Sequence, residues 1–150
     1  MRLAVLLLAV AGCYLGHFQN VRSEFVGTRA QVGCLDVAVA LTDDATAPPP
    51  IVAYEFGNRC SHETIVDFSA VRVFATGADG ARIELRPYDP KSELRPMQLD
   101  AFTSGEERIA YQSPWPSPPP VVCVDLSGLD HDHPTPATPT CLGAGAGGPL

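Results

Sequence analysis

Positive charge is scarce in this chain, and its scarcity argues against several classes of partner. Lysine and arginine together number 10 in 150 residues, against 17 aspartates and glutamates, which gives a formal net charge of −7 at pH 7. Lys91 is the single lysine. Nucleic acids and anionic lipid surfaces attract clustered positive charge, so both nucleic-acid binding and electrostatic docking on anionic lipid are disfavoured.

The chain also lacks the sequence signs of a membrane-spanning helix, of a thiolate metal site and of a hydrolase. Its apolar N-terminal run, Leu3 to Ala11, is shorter than the roughly 20 residues that a spanning helix needs. No two cysteines have C-x-x-C spacing, and no G-x-S-x-G segment offers a nucleophile. We therefore predict a non-catalytic protein without a cofactor.

The N-terminal segment has the pattern of an export signal that closes on a cysteine. Arg2 precedes the apolar run, and the small residues Ala11 and Gly12 stand directly before Cys13. This pattern predicts a signal peptide over residues 1–12, cleavage before Cys13 and acylation of that cysteine. Cys13 would then hold the protein on a lipid bilayer through its acyl chains. Ala9-Val10-Ala11 also fits the A-x-A-like pattern of an ordinary secretory signal, which would give a soluble protein.

The cysteine count favours the lipidated alternative. The chain has five cysteines, and an odd cysteine in an exported protein leaves a reactive thiol to explain. If Cys13 carries lipid, four cysteines remain for disulfides, which an oxidising envelope favours. Four cysteines allow three connectivities. The four are Cys34, Cys60, Cys123 and Cys141.

Short stretches in which apolar and polar residues alternate run through the middle of the chain. Leu35 to Leu41 is the clearest, a second ends at Gly57-Asn58, and Asp79-Gly80 marks a hairpin turn between two later strands. No long segment has the 3.6-residue period of a helix. About seven short strands separated by proline and glycine predict an all-β fold, an antiparallel immunoglobulin-like sandwich with little helix.

The first two strands suggest which cysteines pair. If they form a hairpin with Leu41 opposite Ile51, Cys34 lies opposite Asn58, only two residues before Cys60. This register favours a Cys34 to Cys60 bridge. Cys123 and Cys141 pair by elimination.

Composition places the folded domain in the middle of the chain. Nine of the 15 prolines stand at Pro114 or later, and proline, threonine, alanine and glycine dominate the chain from Asp130 onward. We predict a lipidated tether over residues 13–31, a β-sandwich domain over 32–127 and a disordered tail over 128–150. Trp115, the single tryptophan, is expected to cover an edge of the sandwich, with an exposed anchor for a partner as the alternative.

One short segment carries metal-type ligands. Asp130-His131-Asp132-His133 would place His131 and His133 on the same side of an extended chain. Prolines follow at once, and nothing in the pattern fixes the geometry that a dedicated site needs. We treat the two histidines as weak candidates and favour a solvated polar tail.

These features together resemble small bacterial envelope lipoproteins with an immunoglobulin-like domain. The resemblance rests on the lipobox, that is, the small residues that end at Cys13, on the short tether, and on strand and turn motifs such as residues 54–60 and 102–106. It covers Gln31 to Leu126. It implies a fold and a compartment, the cell envelope, with attachment to a membrane, the outer membrane being favoured. It carries no catalytic residues.

We therefore expect a membrane-anchored binding or structural module with the bilayer and an envelope protein as its partners. Two other functions stay open. One is a small metal-binding or enzymatic domain that uses His62, His131 and His133. The other is a secreted enzyme inhibitor with the loop from Arg86 to Pro96 as its bait.

Overall fold

The computed structural model describes residues 21–42, 49–117, 119–129 and 138–143. This part of the chain is built from ten β-strands, one short helix, α1 (Pro90–Glu93), and two 3₁₀ turns, Phe68–Ala70 and Ser127–Leu129. No helix within it is long and apolar enough to cross a membrane. The predicted all-β class with little helix is confirmed. The strands are β1 (Thr28–Val32), β2 (Leu35–Leu41), β3 (Ile51–Asn58), β4 (Thr64–Val66), β5 (Arg72–Thr76), β6 (Arg82–Leu85), β7 (Met97–Leu99), β8 (Ser104–Ala110), β9 (Val121–Asp125) and β10 (Thr140–Gly143).

The strands form two four-stranded antiparallel sheets. Sheet I has the order β1-β2-β3-β8, sheet II has the order β10-β9-β5-β6, and β4 and β7 make a small separate pair. One hydrophobic cluster draws buried side chains from both sheets, which gives a sandwich-like arrangement around a shared core. After β6 the chain crosses to sheet I, where Pro87 bridges to Tyr111.

Aromatic side chains fill the centre of this core. Tyr54, Phe56 and Phe68 are 0 to 1% exposed, and their ring centroids lie 5.6 to 6.1 Å apart. The hydroxyl of Tyr54 lies 2.7 Å from that of Tyr111, so each buried hydroxyl has a partner. Apolar burial combined with a satisfied polar pair is what stabilises such a core.

The predicted register of the first hairpin is wrong by one residue. Leu41 pairs with Val52, and Asn58 lies opposite Leu35, not Cys34. Opposite residues on antiparallel strands share a face, and a one-residue slip turns a whole strand over. The observed register places Val39 opposite Tyr54, apolar on apolar, whereas the predicted one would have placed Glu55 on the core side.

The structure also corrects the predicted domain boundaries at both ends. β1 lies largely within the predicted tether, and β10 lies within the predicted tail, where it pairs with β9. Each segment is short but adds an edge strand to an existing sheet. The signal peptide, Cys13, His131 and His133 lie outside the described residues.

Three local features add detail to the fold. A 3₁₀ turn, Phe68–Ala70, divides β4 from β5, so that these two strands join different sheets. Gly105 lies inside β8, where an added Cβ would stand 2.8 Å from Leu99 Cδ2. The predicted loop from Arg86 to Pro96 contains α1. The predicted hairpin turn is confirmed, and Gly80 there has φ of +81°.

Candidate functional site: a strap and cleft on sheet I

The segment before β1, residues 21–27, crosses the outer face of sheet I, and we name it the strap. Val21 is 3% exposed, and the Arg22 side chain reaches the sheet. The Arg29 guanidinium donates to the carbonyl of Arg22 at 3.2 Å, which joins the strap to β1. A Cβ on Gly27 would lie 2.6 Å from the Val39 carbonyl oxygen, so this position requires glycine for close approach.

Small residues on the outer face of sheet I make room for the strap. Ala38 on β2 pairs with Glu55, and Ala40 pairs with Ala53 on β3. Ala38 is fully buried even though its neighbours Val37 and Val39 face the core. Sheet I is therefore covered on both faces at its centre.

Glu55 is the anchor of the strap and the one fully buried acid of the described chain. Its Oε1 accepts hydrogen bonds from the backbone N of Arg22 at 2.8 Å and from Arg22 Nε at 3.1 Å. Its Oε2 is buried and has no partner among the described residues. A buried carboxylate is costly unless it is paired, so Arg22 is required at this position.

Glu106 completes the cluster from the neighbouring strand. It lies opposite Glu55 on β8, and Arg22 Nη2 donates to its Oε2. Hydrogen bonds to Glu106 and then to Glu55 raise the pKa of Arg22 above its ordinary value. One guanidinium thus bridges two carboxylates that would otherwise repel each other across the sheet.

A cleft of about 660 Å³ opens beside the strap. Its lining combines apolar side chains with charged side chains of both signs. Such a combination suits binding, because apolar area supplies affinity and a few polar groups orient the ligand. Within the described residues no three His, Cys, Asp or Glu side chains group closely enough to hold a metal ion. The cleft is lined by Arg22, Glu24, Phe25, Val26, Ala40, Leu41, Thr42, Ala53, Glu106 and Arg108.

Two disulfides join the four cysteines of the folded domain, so the presence of disulfide bonds is confirmed. Cys34 is joined to Cys60 with their Cα atoms 5.6 Å apart, and Cys123 is joined to Cys141 with Cα atoms 4.0 Å apart. The connectivity is the one that the sequence favoured. The first bridge ties the β1–β2 turn to the chain after β3, and the second links facing residues of β9 and β10.

Asn58 explains how Cys60 reaches Cys34. Its Oδ1 accepts from the Cys60 backbone N at 2.8 Å, and its Nδ2 donates to the carbonyls of His62 at 2.8 Å and Asp100 at 3.0 Å. Asn58 therefore bends the chain after β3 and fixes it to the turn before β8. His62, a candidate base in the enzymatic alternative, is exposed and contributes its backbone carbonyl to this network.

Sequence reasoning missed Arg22, Glu55 and Glu106. One signal was present: Glu55 stands between Tyr54 and Phe56 in a strand that is otherwise almost wholly apolar. An acid there indicates either an exposed face or a buried partner, and only the tertiary structure distinguishes the two. The predicted covering role of Trp115 is confirmed, since it packs on the core and lies against Gly77.

The fold defines a class: a disulfide-bonded all-β domain of two four-stranded antiparallel sheets. No protein-family model matches the chain, and no curated protein matches it. Among solved structures, the yjhA protein from Bacillus subtilis is similar, with a TM-score of 0.46 and 10% sequence identity over 71% of this chain and 84% of that chain.

Proposed function

We propose that this protein is a non-catalytic lipoprotein of the cell envelope. In this proposal Cys13 carries the acyl chains, and an immunoglobulin-like sandwich serves as a binding or structural module at the membrane surface, the outer membrane being favoured. The observation that carries the proposal is the bond between Arg22 and Glu55, because it joins the segment that follows Cys13 directly to the folded domain.

The bond between Arg22 and Glu55 matters for the proposal because Arg22 lies close to Cys13 along the chain. Val21, the buried residue at which the strap begins, lies eight positions after Cys13. A fully extended chain of that length spans at most about 29 Å. A lipid on Cys13 would therefore hold the domain close to the bilayer, with the strap side nearest to it.

The two disulfides support an envelope location, because such bonds persist in oxidising compartments and not in the cytosol. The two antiparallel sheets around one core support the immunoglobulin-like assignment. The cleft beside the strap offers a binding surface on the membrane-proximal side, where a partner in the same envelope would meet it.

Metabolic labelling tests the anchor. The full-length chain and its Cys13→Ser variant are expressed in a bacterium that processes lipoproteins and supplied with an alkyne-tagged palmitate. We expect the unsubstituted protein to be labelled and to sediment with membranes, and Cys13→Ser to be unlabelled and mislocalised. An unmodified thiol at Cys13 in the mature chain, found by mass spectrometry, would refute the anchor.

A further inference from the structure

β6 is one of the two edges of sheet II, and half of its main-chain groups have no partner strand in the described part of the chain. In antiparallel pairs, residues bonded to the partner strand alternate with residues whose groups point away. The N–H of Gly77 donates to the carbonyl of Ala81 at 2.9 Å, which fixes the alternation along β6. The main-chain groups of Ile83 therefore point toward β5, and those of Arg82 and Glu84 point away from it. No main chain in the described part of the protein pairs with these two residues.

Arg86, the next residue whose main-chain groups point away from β5, shows that this edge can accept a strand. The carbonyl of Arg86 accepts a hydrogen bond from the N–H of Gln112 at 2.8 Å, where the chain crosses to sheet I. Before that point the two segments separate, and an open cleft of about 290 Å³ lies between β6 and residues 112–114. Ile83, 40% exposed, lies on its wall.

Two arginines, Arg82 and Arg86, flank Glu84 at this edge of an otherwise acidic molecule. The Arg82 guanidinium stacks on the Phe74 ring at 4.4 Å, and the Arg72 guanidinium lies 5.0 Å from the same ring. Arg72 also bonds Glu84 at 3.1 Å, whereas Arg82 has no hydrogen-bond acceptor in the described structure. Stacking on Phe74 orients the donors of Arg82, and such a guanidinium suits bidentate contact with a carboxylate.

We propose that β6 binds an extended acidic segment of a partner protein, which adds to sheet II as a further strand. The main chain of Arg82 and Glu84 would bond the added strand, and Arg82 and Arg86 would face its carboxylates on neighbouring positions. The same charges discourage neutral and basic strands from pairing here. This proposal rests on the proposed binding role but not on the lipid anchor.

A synthetic peptide tests the strand addition directly. The probe is an N-acetylated, C-amidated heptapeptide in which valine alternates with glutamate, titrated into the full-length protein by calorimetry, with the lysine analogue as its charge control. We expect the glutamate peptide to bind and the lysine peptide to bind at least about tenfold more weakly. Equal binding of the two peptides, or no binding of either, would overturn the proposal and leave the labelling result at Cys13 unaffected.

N-methylation of the probe distinguishes a strand from a loosely bound anion. Only alternate amides of an added strand face β6, so methylating one alternate set should reduce affinity by about tenfold or more, while methylating the other set should change it little. Equal effects of the two sets would overturn the strand geometry. This arm alters the ligand and leaves the fold of the protein untouched.

Charge reversal locates the site. The Arg82→Glu variant should no longer bind the glutamate peptide and should bind the lysine peptide instead. The Arg86→Glu variant should show the same change in preference to a smaller degree. Arg95→Glu changes an exposed arginine after α1, away from both β6 and the cleft; it is the matched control and should bind as the unsubstituted protein does. Loss of binding in Arg108→Glu with retention in Arg82→Glu would place the peptide in the sheet I cleft and refute the inference.

Discussion

The outer faces of the two sheets are built in opposite ways. Sheet I presents alanines, is covered by the strap and encloses Glu55 at 0% exposure. Sheet II presents Phe74 with exposed arginines stacked on its ring, and its carboxylate Glu84 is 51% exposed. On sheet I the small side chains of Ala38, Ala40 and Ala53 leave room for the strap, and burial in turn decides how much an ion pair on a face stabilises the protein.

The largest expected effect comes from the two disulfides, one at the end of sheet I and one within sheet II. Replacing Cys34 and Cys60 together by serine should lower the free energy of unfolding by about 3 kcal/mol, because the unfolded chain regains its conformational freedom. Replacing Cys123 and Cys141 should lower the free energy of unfolding slightly less, since these two cysteines are 18 residues apart in the chain, whereas Cys34 and Cys60 are 26 apart. Urea denaturation of the two double variants measures the difference, and a much larger loss for the second pair would contradict the entropic explanation.

The core shared by the sheets should respond to alkaline pH. Burial raises the pKa of Tyr111 to about 12 and that of Tyr54 well above its ordinary value of 10. A folded-state pKa above the unfolded one means that stability is intact below about pH 10 and falls as pH rises toward 12. Thermal midpoints between pH 9 and 12 measure this loss, and Tyr111→Phe should lessen it. A midpoint that is flat across this range would contradict the burial of the pair.

Breaking the strap tests the covered face. Glu55→Ala should lower the free energy of unfolding by about 2 kcal/mol, because two hydrogen bonds from Arg22 to a buried charge are lost. Limited proteolysis should then cut the strap faster than in the unsubstituted protein. Glu106→Ala, a more exposed acid in the same cluster, is the control and should have a smaller effect. Equal effects of the two variants would show that burial does not set the strength of this contact.

The smallest effect is expected on the open face. Arg72→Ala removes an ion pair with Glu84 between two exposed side chains, and solvent screens such pairs. The urea midpoint should stay within experimental error. A clear loss of stability would mean that sheet II is covered in the folded protein, and the comparison between the two faces would then fail.

The sequence predicted the strands better than their pairing. Alternation identified β2 and β3 because each strand shows its own pattern, yet the hairpin was placed one residue out of register. The wrong register could have been excluded from the sequence alone, because it places Glu55 in the core. The correct register pairs apolar residues with each other, Val37 with Phe56 and Val39 with Tyr54. Edge strands such as β10 escaped prediction because four residues among prolines and glycines carry too weak a pattern.

By itself, the sequence determined the all-β class, the hairpin turn at Asp79-Gly80 and the favoured disulfide pairing. These follow from local alternation, from turn residues that tolerate positive φ, and from the hairpin of the first two strands, which brings Cys34 near Cys60 even with the register one residue out. The tertiary structure alone decided that residues 21–27 lie on sheet I, that Glu55 is buried against Arg22 and that β6 remains an edge. Each of these depends on contacts between segments far apart in the chain, and a local pattern shows which residues form a face but not what covers it.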